Sequence, residues 1–366
     1  LGRDTTHWSV YGRVDFDILE NLTLGLEARY SWEDYEYLLS DTSLTFGVVI
    51  PFFATDPVPQ ENIFTTTADA DANFFTPRVS LDWQATEDVL FYASAAKGVK
   101  PAGVSTFNFA RDLGVKFVTY DTEKIWSYEV GAKTSWFENR FQFNVAGFYQ
   151  DWSNIQDTQQ AIIVVNGIST FQTIVTNERS ARIWGAEVDA VWAPVEGLAL
   201  SGAYTYLNSK YTDFDFVTSS INDVTRGGNC VAQDLRPPAG PDSCLVDLGG
   251  NLVERTPKHS FVGLASYRAP LFNTGFDWLV EAAWQWQDDR FLSKWNRWTL
   301  DSYWNVDARI GVESDTWSAI LYAENLFDND TVKDAQENFD PYTFGPAIPV
   351  TAPAPSQFGV RLGLKL

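Results

Sequence analysis

Hydrophobic and polar residues alternate with period two along most of this chain. Between 126 and 136 the even positions are Trp126, Tyr128, Val130, Ala132, Thr134 and Trp136, while Ser127, Glu129, Lys133 and Ser135 lie between them. After a turn at 138–140, Phe141, Phe143 and Val145 alternate with Gln142 and Asn144. The same rhythm returns in Trp184, Ala186, Val188, Ala190 and Trp192, set against Glu187 and Asp189. It returns again in Trp278–Trp286, set against Glu281 and Gln285, and in 304–310, where Asn305, Asp307 and Arg309 are the polar members. Period two over so many segments predicts strands with one apolar and one polar face. The predicted strands are 7–19, 22–39, 73–85, 89–104, 120–137, 141–158, 178–193, 198–214, 258–271, 276–293, 300–313, 317–333 and 356–366. Most exceed the five or six residues of an ordinary globular strand. They are long enough for a tilted strand that crosses a bilayer, which needs about 9–11 residues.

The predicted connections alternate in length. Short ones at 20–21, 86–88, 138–139, 195–197, 273–275 and 314–315 carry the Asn, Asp or Gly that tight hairpins favour. Long ones occupy 40–72, 105–119, 159–177, 215–257 and 334–355, and 294–299 is the exception in being short. Tight turns at one end and large loops at the other are the asymmetry of outer-membrane barrels. A soluble sandwich also alternates, but its outward face is polar and its strands are shorter. Here the apolar face has Trp or Tyr at strand ends and small aliphatics between, as an aromatic girdle around a lipid band requires. The expected fold is all-β, an antiparallel transmembrane β-barrel forming one unit over 1–366. About thirteen strands make the first and last parallel, so they do not close a barrel alone. They are expected to be the C-terminal part of a barrel of about 22 strands, the size that holds a plugged lumen.

Composition narrows the function. Of 366 residues 15% are aromatic, yet the longest apolar run is the five residues 161–165, far short of the roughly 20 that a membrane helix needs. A net charge of -22 opposes nucleic-acid binding, which requires a basic face. The opening "LGRDTTHWSV" has no apolar leader core, so the chain is expected to be cut from a longer one. Cys230 and Cys244, in a stretch rich in Gly, Pro and Asp, are either a loop disulfide in an oxidising compartment or two free thiols. His7 and His259 are the only histidines and have no partner motif, and neither a nucleophile elbow nor a phosphate-binding glycine loop occurs. Asp69, Asp71 and Asn73 are spaced like the start of a calcium loop, but Phe74 and Ser80 stand where its Gly and Glu belong. No catalytic residue, metal or cofactor is expected.

Ligand contact is expected in the long loops. Aromatics beside cations can stack on a planar ligand and pair with its anionic groups. Phe107, Phe109, Arg111 and Lys116 form one such set, and Lys294, Trp295, Arg297 and Trp298 the other. The alternative for both is girdle aromatics with snorkelling cations. Acidic residues dominate 40–72 (Asp41, Asp56, Glu61, Asp69, Asp71) and 334–355 (Asp334, Glu337, Asp340). These segments are either a substrate-capturing vestibule or a surface that organises divalent ions against lipopolysaccharide. Lumen-facing positions are expected at Glu129, Lys133, Gln142, Asn144, Glu187, Asp189, Glu281, Gln285, Asp307 and Arg309.

Several stretches resemble TonB-dependent outer-membrane receptors. "LFYASAAKGVKPAGV" (90–104) is similar to that family's strand ending in a lysine-glycine-x-lysine-proline-glycine turn, and 120–156 to its pair built on a glutamate-x-glycine-x-lysine core. "RIWGAEVDAVWAPVEGLALSGAYTYLNSKYTDF" and "WNVDARIGVESDTWSAILYAENLFD" resemble later hairpins, the second ending in asparagine-leucine-phenylalanine-aspartate. "FGVRLGLKL" resembles the terminal strand, although Leu366 stands where the family usually has an aromatic. The resemblance covers most of the chain from about residue 73. It implies a receptor in the bacterial outer membrane, embedded in lipid and lipopolysaccharide, that imports a scarce small molecule, foremost an iron chelate such as a ferric siderophore. It also implies a plug and TonB-contacting region upstream, through which the TonB complex drives transport. Cobalamin or an oligosaccharide is the alternative cargo, and a passive diffusion channel the alternative mechanism.

Overall fold

The computed structural model describes residues 2–41, 64–106, 117–165, 168–177, 179–218, 244–340 and 345–364. Thirteen strands follow one another in a single antiparallel path: β1 (Gly2–Leu19), β2 (Leu22–Asp41), β3 (Phe64–Thr86), β4 (Val89–Lys100), β5 (Glu123–Trp136), β6 (Phe141–Ser153) and β7 (Arg179–Trp192). Then come β8 (Leu198–Thr218), β9 (His259–Pro270), β10 (Asp277–Gln287), β11 (Tyr303–Glu313), β12 (Trp317–Glu324) and β13 (Gln357–Leu364). A short strand, Cys244–Asp247, pairs with the far end of β8 and brings the sheet to fourteen strands. No helix occurs among the described residues, and β1 and β13 form the two edges of the sheet.

Residues directly opposite in neighbouring strands share a face, so the register sorts the side chains. One face carries a lateral row Trp184, Tyr149, Tyr128 and Ala95, and a second row Ala186, Gly147, Val130 and Ala93. All ten residues expected to line a lumen share the opposite face, where Glu281 meets Arg309 and Lys133 meets Asn144 across strands. The apolar face has no protein cover. Val130 is 61% exposed, Leu362 77% and Trp8 71%. So large an apolar surface implies an apolar medium against it. Aromatic residues bracket it: Trp184 and Trp192 are eight positions apart on β7, and Trp126 and Trp136 ten on β5. At about 3.3 Å per residue and a tilt of about 40°, these separations correspond to roughly 20–25 Å, the height of a barrel's lipid band.

Three details of the sequence reading are corrected. The connection expected to be short at 294–299 spans 288–302 and contains its own hairpin, Arg290–Phe291 with Thr299–Leu300. The alternation of short turns and long connections is therefore unbroken from β1 to β13. The stretch 159–177, read as irregular, belongs largely to a hairpin of Asp157–Val165 with Ile168–Thr176. The strand read as 317–333 stops at Glu324, because Asn325 and Asp328 adopt left-handed φ of 49° and 52°. The buried Asn325 then donates to the carbonyls of Asn329 and Ala354, while the Asp328 carboxylate accepts the Ser356 amide. The asparagine-leucine-phenylalanine-aspartate signature is thus a turn that ends β12 and holds the approach to β13.

The glutamate-x-glycine-x-lysine core has an equally local cause. Tyr92 on β4 stands opposite Gly131 on β5, and its ring fills the place of the missing side chain; a Cβ there would lie 2.6 Å from the ring. The Tyr92 hydroxyl donates to Glu129 at 2.7 Å, and the Lys133 ammonium sits 5.6 Å from the ring centre. One aromatic side chain therefore uses all three motif positions. Gly131→Val should expel the ring and cost about 1–3 kcal/mol by overpacking. In denaturant titrations of the refolded protein in detergent, Tyr92→Ala should then add less in that background than it costs alone. Additive losses would show that the ring and the glycine are not coupled.

Candidate substrate vestibule

Every long connection leaves the same end of the sheet, and among the described residues the bases of five of the six are tied together. Glu123 accepts from the Trp152 indole at 3.0 Å and from the Gln156 amide at 2.7 Å. The Gln156 side chain donates to the carbonyls of Pro101 and Asp121, and the Asn177 side chain to those of Asp121 and Asn154. Connections 101–122 and 154–178 are thereby joined.

The next joint is ionic. Arg179 at the start of β7 is buried; its guanidinium meets the Asp157 carboxylate and lies 3.8 Å from the centre of the Phe214 ring. Lys294 reaches the same carboxylate at 3.0 Å and stands 5.6 Å from the same ring. Beneath them Ile155, Ala181, Tyr211, Phe214 and Leu248 form an apolar cluster, with Trp152 and Trp295 against it. These groups lie beyond the Trp184 belt, outside the span. Burial lowers the Arg179 pKa to about 10, so it stays a cation at neutral pH. Tyr211, whose hydroxyl donates to Glu254 at 2.6 Å, is raised by burial and by that carboxylate, and stays a neutral donor. Asn296 exchanges hydrogen bonds with the backbone of Leu252, and Asn251 donates to the Lys294 carbonyl. Connections 154–178, 219–258 and 288–302 are thus locked to one another. Arg255 adds the last, 325–356, through Asp334 and the Ala335 carbonyl, as Ser293 does through Glu337.

Inside this collar is a cavity of about 300 Å³ lined in part by Asp157, Glu254, Arg255, Ser293, Lys294 and Trp295. A second hollow of about 440 Å³, with Trp298, Asp301 and Asp330 among its walls, lies beside it. Such a site offers aromatic faces, both signs of charge and fixed hydrogen-bonding groups, which suits reversible capture of a small polar ligand.

A family description, "TonB dependent receptor-like, beta-barrel", matches residues 2–326. The chain belongs to the TonB-dependent receptor family. TonB-dependent receptor β-barrels are outer-membrane proteins; the family binds small molecules and interacts with TonB, and its members are receptors and transporters rather than enzymes. Solved structures share the fold. The ferric yersiniabactin uptake receptor FyuA from Yersinia pestis aligns over 98% of this chain and 45% of its own, with TM-score 0.70 and 15% identity. The siderophore receptor PiuA from Acinetobacter baumannii aligns over 98% and 43%, with TM-score 0.65 and 16% identity. The copper transporter OprC aligns over 98% and 48%, with TM-score 0.60 and 11% identity. This TonB-dependent receptor chain therefore spans less than half the length of the structures it matches.

Of the two cation–aromatic sets, Phe107, Phe109, Arg111 and Lys116 lie outside the described residues, as does Cys230 of the cysteine pair with Cys244. The other set divides: Lys294 and Trp295 line the first cavity, Trp298 lines the second, and Arg297 lies 5.6 Å from the Trp295 ring. Sequence reasoning missed Asp157, Arg179, Phe214 and Arg255. Asp157 and Lys294 are 137 residues apart, so no local pattern announces their meeting. Asp157→Ala removes a carboxylate from two cations, one of them buried, and breaking such a pair costs about 3–5 kcal/mol. Limited proteolysis should then cut within 154–178 and 288–302 faster than in the parent protein. Unchanged cleavage would show that the joint does not hold the collar.

Proposed function

We propose that this chain is the greater part of the barrel of an outer-membrane transporter that captures a ferric siderophore in its loop collar and imports it by TonB-coupled transport. The carrying observation is the collar itself, in which four connections are bonded around cavities bordered by Lys294, Trp295 and Trp298. A ferric chelate is bulky, often planar in part and frequently anionic, so it suits aromatic faces and cations held by a stiff rim. The ferric yersiniabactin uptake receptor FyuA and the siderophore receptor PiuA share the fold, which supports the same cargo. β1 runs into a short turn and β13 leaves a long connection, so the two run in the same direction. An odd number of further strands is needed to close such a sheet antiparallel, and nine upstream would make the barrel of 22. The polar face, with Glu129, Lys133, Gln142, Asn144, Glu187, Asp189, Glu281, Gln285, Asp307 and Arg309, would then line a lumen occupied by an upstream plug. TonB would act on that upstream region. Phe107, Phe109, Arg111 and Lys116 are proposed as a second arm of the ligand site. A non-iron cargo is the second reading, supported by the copper transporter among the structures of similar fold.

Binding to the full-length protein in detergent, followed by Trp fluorescence, distinguishes these. Ferric catecholate or hydroxamate chelates should quench at micromolar concentration, and Lys294→Gln with Arg297→Gln should weaken binding about tenfold or more. Binding of cobalamin, a copper complex or an oligosaccharide, with no response to any ferric chelate, would sink the iron assignment.

A further inference from the structure

Beyond the upper aromatic belt the apolar face becomes charged, and the sign depends on the strand. On β1–β3 it is acidic: Asp4, Glu36 and Asp69 stand in one row, and Asp34 opposes Asp71 in the next. On β4–β8 cations outnumber the two carboxylates that share their rows, Asp151 opposite Arg182 and Asp213 at the far end of the Lys124 row. Lys97, Trp126, Asp151, Arg182 and Lys210 are direct cross-strand neighbours in one unbroken row, and Lys124 lies one row further from the belt. Lys124, Arg182 and Lys210 are exposed. Among the described residues none of the four cations forms an ion pair with a carboxylate. In a chain of net charge -22, four such cations converge on one outward patch at the membrane edge.

The surface just below this row is shaped as well as apolar. On the apolar face the small Ala95 lies between the bulkier Val79 and Tyr128, Ala93 lies between Leu81 and Val130, and these residues help to line a depression of about 650 Å³. A row across five strands is about 19 Å wide at the usual strand spacing, enough for more than one phosphate of a single headgroup. Arginine and lysine both bind phosphate, the former through a two-pronged fork.

We propose that this patch binds a phosphorylated lipid of the surrounding leaflet. Its headgroup phosphates would lie on Lys97, Lys124, Arg182 and Lys210, and an acyl chain over Ala93 and Ala95, between Val79 and Leu81 on one side and Tyr128 and Val130 on the other. The site rests on the placement of the apolar face in an outer membrane and is independent of the cargo. Its occupant is held by protein cations, so no divalent ion is needed. The acidic rows on β1–β3, where like charges face each other, have no such complementarity to a phosphate.

The test is native mass spectrometry of the full-length protein in detergent with a diphosphorylated lipid A, the same lipid dephosphorylated, and inorganic phosphate. The diphosphorylated lipid should be retained at least about tenfold better than the dephosphorylated one, with or without a chelator. Lys97→Gln, Arg182→Gln and Lys210→Gln together should abolish that preference, while Lys97→Arg with Lys210→Arg keeps it. Equal retention of both lipids by the parent protein overturns the proposal whether or not the triple variant folds. So does loss of binding on chelation, which would point to divalent bridging, or displacement by an equal concentration of inorganic phosphate, which would make this a free-anion site. A failure to bind ferric chelates leaves all of these readouts unchanged.

Discussion

Everything in this structure depends on the lateral backbone hydrogen-bond ladder that runs from β1 to β13. A backbone amide or carbonyl left unpaired in hydrocarbon costs several kcal/mol, so a chain that crosses a membrane as strands must pair each strand on both sides. That requirement makes the strands long, joins them by tight turns wherever they can return at once, and forces period two on the side chains. It also makes register decisive, since a slip of one residue would turn Glu129 and Lys133 into lipid and Val130 and Ala132 into the polar interior.

The ladder is trimmed by local devices that the backbone alone does not supply. Cross-strand contacts of an aromatic ring with a glycine recur at Tyr92 and Gly131, at Trp284 and Gly263, and at Tyr322 and Gly359. In each, a ring fills the place where its cross-strand neighbour offers no side chain, which favours the register of that pair. Asn325 and Asp328 act differently. They end β12 by backbone conformation and then bond the chain that returns to β13. Family signatures in this chain are therefore fittings between neighbouring strands.

Beyond the membrane edge the physics changes, because water returns and loops need cores of their own. Clusters around Tyr35 and Tyr37, around Phe214, and around Leu292 and Leu300 all lie at the end of the sheet with the long connections. The buried charge of Arg179 is acceptable there only because Asp157 and the Phe214 ring meet it. A collar built in this way holds its side chains on a stiff rim. Lys294 thus has two duties, as a strut against Asp157 and as a wall of the cavity.

Much of the fold was legible in the sequence because period two is a one-dimensional consequence of a two-faced sheet. Trp126, Val130 and Trp136 report their environment without reference to any distant residue, and all ten polar positions read as lumen-facing do share one face. Boundaries near the loops were less legible. Strands there continue past the lipid into water, so polarity no longer marks their ends, and β3 begins at Phe64 well before the alternation does. Only the tertiary structure brought Asp157 to Lys294 and Arg179, and aligned Lys97, Arg182 and Lys210 into one row. Alternation says which face a residue takes; only strand pairing says which distant residue stands beside it.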